Sequence, residues 1–175
     1  MIQLATPELI AELVERARQS PRQRINHNFH AGPADNPHRF LNVLLRGTYI
    51  RPHRHSAPPK SEGFVILSGA ASVLIFSDTG EVTARHAIAA HHPSLSPLID
   101  LPAGVWHTVI AESDVVVCYE VKPGPWEPAT DKEFAAWAPP EGDAAVAAFL
   151  ERLTSSFPSG DPRGSEPPPD PSAAR

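Results

Sequence analysis

Leu9, Ile10, Leu13, Val14 and Ala17 recur at the spacing of one helical face, which predicts an amphipathic helix near the start of the chain. Thr6 stands where an N-cap belongs, Pro7 suits the first helical position, and Glu8 complements the positive end of the helix dipole. The helix should stop near Ser20-Pro21, with its apolar stripe packed on the rest of the domain.

The pattern then changes to short runs rich in β-branched and aromatic residues, punctuated by Gly, Pro or Asp. Strands are predicted over 39–45, 48–55, 63–67, 71–77, 81–86, 95–101, 105–111 and 115–122. Ser77-Asp78-Thr79-Gly80 joins two of them as a hairpin turn. No helical segments alternate with these strands, so an antiparallel barrel or sandwich is expected. After Gly124-Pro125 helical signals return: Thr130 and Glu133 form a capping box ahead of Phe134 and Trp137, and Val146, Phe149, Leu150 and Leu153 make a second stripe. From Pro158 the chain is rich in Pro, Ser, Gly and Asp and is expected to be disordered. The predicted class is all-β with flanking helices: an N-terminal helix and lid segment over 1–38, a barrel over 39–126, C-terminal helices over 127–157 and a tail over 158–175.

Composition narrows this picture. Prolines number 21 of 175 residues, more than twice the usual share of about 5%, which suits short strands and rigid loops better than a helical bundle. Fifteen Lys and Arg against twenty Asp and Glu give a net charge of −5, so no nucleic-acid partner is expected. Cys118 is the sole cysteine and excludes an intramolecular disulfide. The apolar runs are far short of the ~20 residues needed to span a bilayer, and the first residues lack a signal-peptide pattern. No membrane partner and a cytoplasmic setting are therefore expected.

The candidate chemistry lies in the histidines. His53 and His55 are two apart, so on a strand both rings project from one face, roughly 7 Å apart along the backbone. Glu62 follows a short loop at the start of the next strand, and Pro102-Ala103-Gly104 is a tight turn that delivers His107 to another strand. Residues so placed are either barrel-interior groups satisfied by hydrogen bonds or the ligands of one ion. Four of them in order on separate strands favour the ion.

Gly47-x5-His53-x-His55-x6-Glu62-x6-Gly69 resembles the first metal-binding motif of the cupin superfamily, and Pro102-x-Gly104-x2-His107 resembles the core of the second. Ser96 and Ala111 stand where the second motif usually has Gly and Asn. The resemblance implies a cupin jelly-roll β-barrel with His53, His55, Glu62 and His107 as ligands, and dimerisation as the superfamily's habit. Gly47-Thr48-Tyr49-Ile50-Arg51-Pro52-His53-Arg54-His55 is similar to the WbuC family of cupin-fold metalloproteins. So are Arg22-x-Arg24, Asn28-Phe29-His30, Arg39-Phe40 and Glu120-Val121-Lys122-x-Gly124-Pro125, over about residues 20–126. That family implies a bound metal and an association with bacterial surface-polysaccharide gene clusters.

Three imidazoles and one carboxylate suit one divalent transition ion, with Zn, Fe, Mn, Ni and Cu all compatible. Six-coordination leaves two positions open for a ligand, whereas tetrahedral zinc would close the site. On a regular strand Tyr49 and Arg51 share the inward face with His53 and His55, while Pro52 and Arg54 point out. Arg51 suits a carboxylate, phosphate or sugar acid, or else pairs with Glu120. Arg22, Arg24, Asn28 and His30 form a polar lid or a solvated loop, and Lys122 either reaches the site or lies on the surface. Tyr49, Arg51, His30 and Lys122 are thus the candidate ligand-binding residues. His27, His38, His86, His91 and His92 are expected in exposed or loop positions, Trp106 in the core or rim, and Cys118 as a small buried apolar residue. The function expected is a metal-dependent enzyme, an isomerase or dioxygenase of the cupin type, acting on a small anionic or sugar-derived molecule in surface-polysaccharide metabolism. Alternatives are a non-catalytic sugar- or metabolite-binding cupin, or a purely structural ion.

Overall fold

The computed structural model describes residues 2–155. The first helix forms as its pattern predicts: α1 runs Pro7–Gln19, Thr6 accepts a hydrogen bond from the Leu9 amide, and Leu13 and Ala17 are fully buried. The strands are β1 (Arg24–Asn28), β2 (His38–Leu45), β3 (His53–Arg54), β4 (Glu62–Ser68), β5 (Ala70–Phe76), β6 (Val82–Ala89), β7 (Leu98–Leu101), β8 (Trp106–Ala111), β9 (Val115–Lys122) and β10 (Glu133–Phe134), followed by α2 (Val146–Ser155). They form two five-stranded sheets, β1-β2-β9-β4-β7 and β10-β3-β8-β5-β6, every named pairing antiparallel. This is a cupin-type jelly roll with helices outside it. Among the described residues no helix is long and apolar enough to cross a membrane.

Period-two alternation sorts the side chains of the first sheet. Leu41 and Val43 of β2 and Val117 of β9 face out and pack under α1. His38, Phe40, Asn42 and Leu44 of β2, with Cys118, Glu120 and Lys122 of β9, face inward onto a cavity of about 700 Å³. One end of the sandwich is closed by an apolar core that includes Phe64, Ile66, Val73, Ile88, Val109 and Val116. The other end holds the cavity. Outside the second sheet, Phe149 and Leu153 of α2 pack with Leu74, Phe76, Trp106 and Ile110.

Three sequence-based expectations change. Residues 24–28, expected in a lid, form edge strand β1, fully registered with β2 from Arg24↔Leu44 to Asn28↔Phe40. Of the predicted strand 48–55 only His53–Arg54 is ladder-paired, and Pro52 is fully buried. Thr108 and Ala135 instead hold the 50–52 backbone, donating to Ile50 O and Pro52 O. The predicted helix after Thr130 does not form. Phe134 pairs with His53 and Glu133 with Arg54, because β3 otherwise lacks a neighbour on that edge. The expected tail over 158–175 lies outside the described residues.

Candidate metal centre

Backbone pairing brings the four candidate ligands together. His53 and His107 are directly opposed across β3 and β8, with ring centroids 4.5 Å apart. His55 follows β3, and its carbonyl accepts the Gly104 amide at 3.0 Å, which docks the turn before β8 against the histidine strand. Gly104 holds φ +83°, a left-handed conformation that suits glycine. Glu62 opens β4 on the opposing sheet. All four are buried, and their ligand atoms lie within 4.8 Å of one another.

Hydrogen bonding aims these atoms. His53 Nδ1 lies 2.9 Å from Arg51 O, His107 Nδ1 lies 2.9 Å from Val105 O, and His55 Nδ1 contacts Asp131 O. A carbonyl only accepts, so each Nδ1 carries its proton and each Nε2 is left for the centre of the cluster. His107 Nε2 is 3.0 Å from Glu62 Oε2, and His55 Nε2 is 3.2 Å from Glu62 Oε1. His55 Nε2 is nevertheless a buried atom without a well-aligned hydrogen bond. Imidazoles fixed by backbone carbonyls, with Nε2 turned to a shared carboxylate, have the outer-shell arrangement of metal-ligating histidines. Two ligands opposed across an ion at ~2.1 Å would be ~4.2 Å apart, so only a small contraction is needed. The residues fit a metal.

Charge supports the same reading. Burial holds His53 well below the usual imidazole range, helped by the positive charge of Lys132. Burial pushes Glu62 up, but the close approach of His107 and His55 and the charge that His107 and His53 carry when protonated overcome it and hold the carboxyl well below its usual range. Neutral imidazole and ionised carboxylate are the forms a metal binds. Behind the cluster, Asp131 accepts Lys60 Nζ at 3.1 Å and Lys122 Nζ at 3.0 Å, and Lys122 also lies 3.8 Å from Glu62. Burial raises Glu120, as does the nearby charge of Glu62, to about 8. Asn42 Nδ2 donates to Glu120 at 2.6 Å.

Of the candidate ligand-binding residues, Arg51, His30 and Lys122 line the cavity, but Tyr49 does not. Its ring packs edge-on against Phe149, its hydroxyl donates to Pro139 O at 2.8 Å, and burial raises it to about 12. The irregular backbone of 48–52 breaks the parity that would have turned Tyr49 inward. Arg51 donates to Ala135 O at 2.7 Å and lies over the Phe134 ring, rather than pairing with Glu120. Neither Lys122 nor His38 is at the surface: Lys122 is buried beside Glu62, and His38 stacks on His30 with centroids 4.0 Å apart. Cys118 is buried on the cavity wall, its thiol pushed by burial up to about 12. Trp106 is buried at the rim, donating to Asp78 with Arg54 over its ring. His91 and His92 are exposed.

Sequence reasoning missed Asn42 and Asp131, and Lys132, which also lines the cavity. The inward parity of Cys118, Glu120 and Lys122 on one strand was a readable signal for part of this wall.

A family profile described as a domain of unknown function (DUF6016) matches residues 5–88, which include His53, His55 and Glu62 but stop short of His107. No curated protein matches the chain in sequence. Among solved structures, protein SO0799 from Shewanella oneidensis is similar at 13% identity and TM-score 0.54, over 76% of this chain and 85% of that one. The capsular polysaccharide assembling protein CapF from Staphylococcus aureus is similar at 16% identity and TM-score 0.52, over 63% of this chain. CapF bound to the inhibitor 3-isopropenyl-tropolone gives TM-score 0.51. This chain spans only 34% of CapF. At such identities the likeness speaks for architecture, and together with the two-sheet topology and the buried His-His-Glu-His cluster it establishes that this chain has the cupin fold.

Proposed function

We propose that this protein is a WbuC-type cupin that binds one divalent transition metal through His53, His55, Glu62 and His107 and holds a small anionic, sugar-derived ligand beside it. The observation that carries the metal reading is the convergence of three imidazoles, each tied through Nδ1 to a backbone carbonyl, on one buried carboxylate. The cavity in front of them is large enough for a sugar-sized molecule, and Arg51 stands in its wall. A divalent ion held there supplies Lewis acidity, or redox chemistry where it is iron. The chain's own residues contribute the rest: Arg51 orients an anionic group, Asn42 and Glu120 offer polar contacts, and the Phe64 and Val109 side chains limit water. Likeness in fold to a capsular polysaccharide assembling protein supports placing the reaction in surface-carbohydrate metabolism, as an isomerase or dioxygenase of the cupin type.

The test is metal uptake by untagged, chelator-stripped protein. Titration with Zn, Mn, Fe(II), Ni and Cu(II) is expected to give one equivalent bound and a rise in Tm. At a free metal concentration about 100 times the dissociation constant, the stabilisation should be about 2.7 kcal/mol. No uptake of any of the five would end the reading. Uptake with complete unfolding on chelation would instead mark a closed structural ion.

A further inference from the structure

The segment 131–135 is the wall of the cavity nearest His53. The Asp131 carbonyl holds His55, and its carboxylate holds Lys60 and Lys122. Glu133 faces away, taking Arg54 Nε and Nη2 at 2.8 Å each and the Ser56 hydroxyl at 2.7 Å. Alternation along β10 then turns Lys132 and Phe134 to the other side. Phe134 lies 6.2 Å from the His53 ring, and both residues line the cavity.

The cations around this cavity are otherwise accounted for. Arg22 and Arg24 share Glu141, Arg54 holds Glu133, and Lys60 and Lys122 share Asp131. Lys132 is different: among the described residues it has no hydrogen bond and no ion pair. Arg51, which lines the same cavity, has only the Ala135 carbonyl and the Phe134 ring for partners, and its Nε is buried and unsatisfied. A cation held in a half-buried wall without a hydrogen-bonded counter-ion is only partly compensated. Glu62, Glu120 and Asp131 attract Lys132 without pairing with it, so Lys132 and Arg51 are the two cavity-lining cations whose charged groups are left for a ligand.

We infer that Lys132 and Arg51 form an oxyanion subsite, in which Lys132 supplies a point charge and Arg51 a planar fork to a carboxylate or phosphate group of the ligand. This deepens the reading of the cavity as a ligand site at a metal, and it assigns a specificity role to a residue beyond the metal ligands. Lys132 acts on binding and selects anionic over neutral ligands of the same size.

The probes are inorganic phosphate, glucuronate and glucose, each titrated calorimetrically into the metal-loaded and the metal-free chain. The wild type should bind phosphate or glucuronate and prefer it clearly to glucose; which anion is preferred separates the phosphate and carboxylate sources. Lys132→Met and Arg51→Met should each weaken the preferred anion by about tenfold or more. Lys132→Arg should keep most of the affinity, while Lys132→Met should still take up metal and its Tm without ligand should not fall below wild type. Anion binding within about twofold of wild type in Lys132→Met overturns the subsite. So does loss of metal uptake in that variant, equal affinity for glucose, or no binding of either anion by the wild type. Should the wild type take up no metal yet still bind the anion through Lys132, the subsite stands and the metal reading falls.

Discussion

Asp131→Asn is expected to destabilise the protein by about 3–5 kcal/mol, because it leaves two buried ammonium groups without their counter-charge. Lys60 and Lys122 are each 4–5% exposed, and both point their Nζ at this one carboxylate. An amide of the same size keeps the packing and can accept one hydrogen bond, but it cannot balance two charges. The remaining partners do not replace it: Lys60 has the Pro125 carbonyl at 2.6 Å, and Lys122 has Glu62 at 3.8 Å. For a domain of this size the loss should lower Tm by about 10–15 °C. Thermal unfolding of the metal-free chain reads it directly. A variant whose Tm falls by less than about 3 °C would show that the lysines reach solvent or other partners, and the wall described above would then not be held by this ion cluster. Lys60→Met/Asp131→Asn/Lys122→Met removes all three charges and should recover part of the loss, as replacing buried ionic clusters by apolar groups often does.

Much of the barrel could be read along the chain because period-two alternation and turn residues are local signals. Val73 to Phe76, the Ser77–Gly80 turn and Val115 to Lys122 fold as their patterns suggest. His53, His55, Glu62 and His107 were legible through spacing and motif. Segment 131–135 was not. Thr130 and Glu133 satisfy a capping box, but an acid three residues after a threonine serves equally well as the partner of Arg54. Pro139 and Pro140 close the available length to about two turns, too short to hold as a helix without packing. The open edge of β3 therefore takes these residues as a strand, and no local window records that edge. β1 escaped for a similar reason: Arg24, Asn26 and Asn28 face the cavity, leaving Ile25 as its main apolar contact to α1. Tyr49 misled because inward parity was carried through residues 48–52, where pairing with a neighbouring strand is absent.

Glu62→Gln should lower metal affinity by at least about 100-fold, more than is usual for loss of an outer-shell partner. In the folded chain this carboxylate is the single negative charge toward which His55 Nε2 and His107 Nε2 both point. An amide of the same shape still reaches the two rings but brings neither the charge nor a second acceptor oxygen, and its NH2 group would face a cation. The effect divides into two measurable parts. Competition with a chelator of known affinity gives the loss in binding, and the metal-induced rise in Tm should vanish at a metal concentration that saturates the wild type. Stability without metal tells a different story, because the substitution removes both the carboxylate's attraction for Lys122 at 3.8 Å and the cost of burying it. A modest change in metal-free Tm alongside a complete loss of metal-induced stabilisation is the signature of a ligand. His92→Ala, at an exposed histidine, serves as the control and should bind metal as the wild type does. If Glu62→Gln and His92→Ala respond to metal alike, the ion sits elsewhere, and the convergence of His53, His55 and His107 on Glu62 is only a hydrogen-bonded barrel interior.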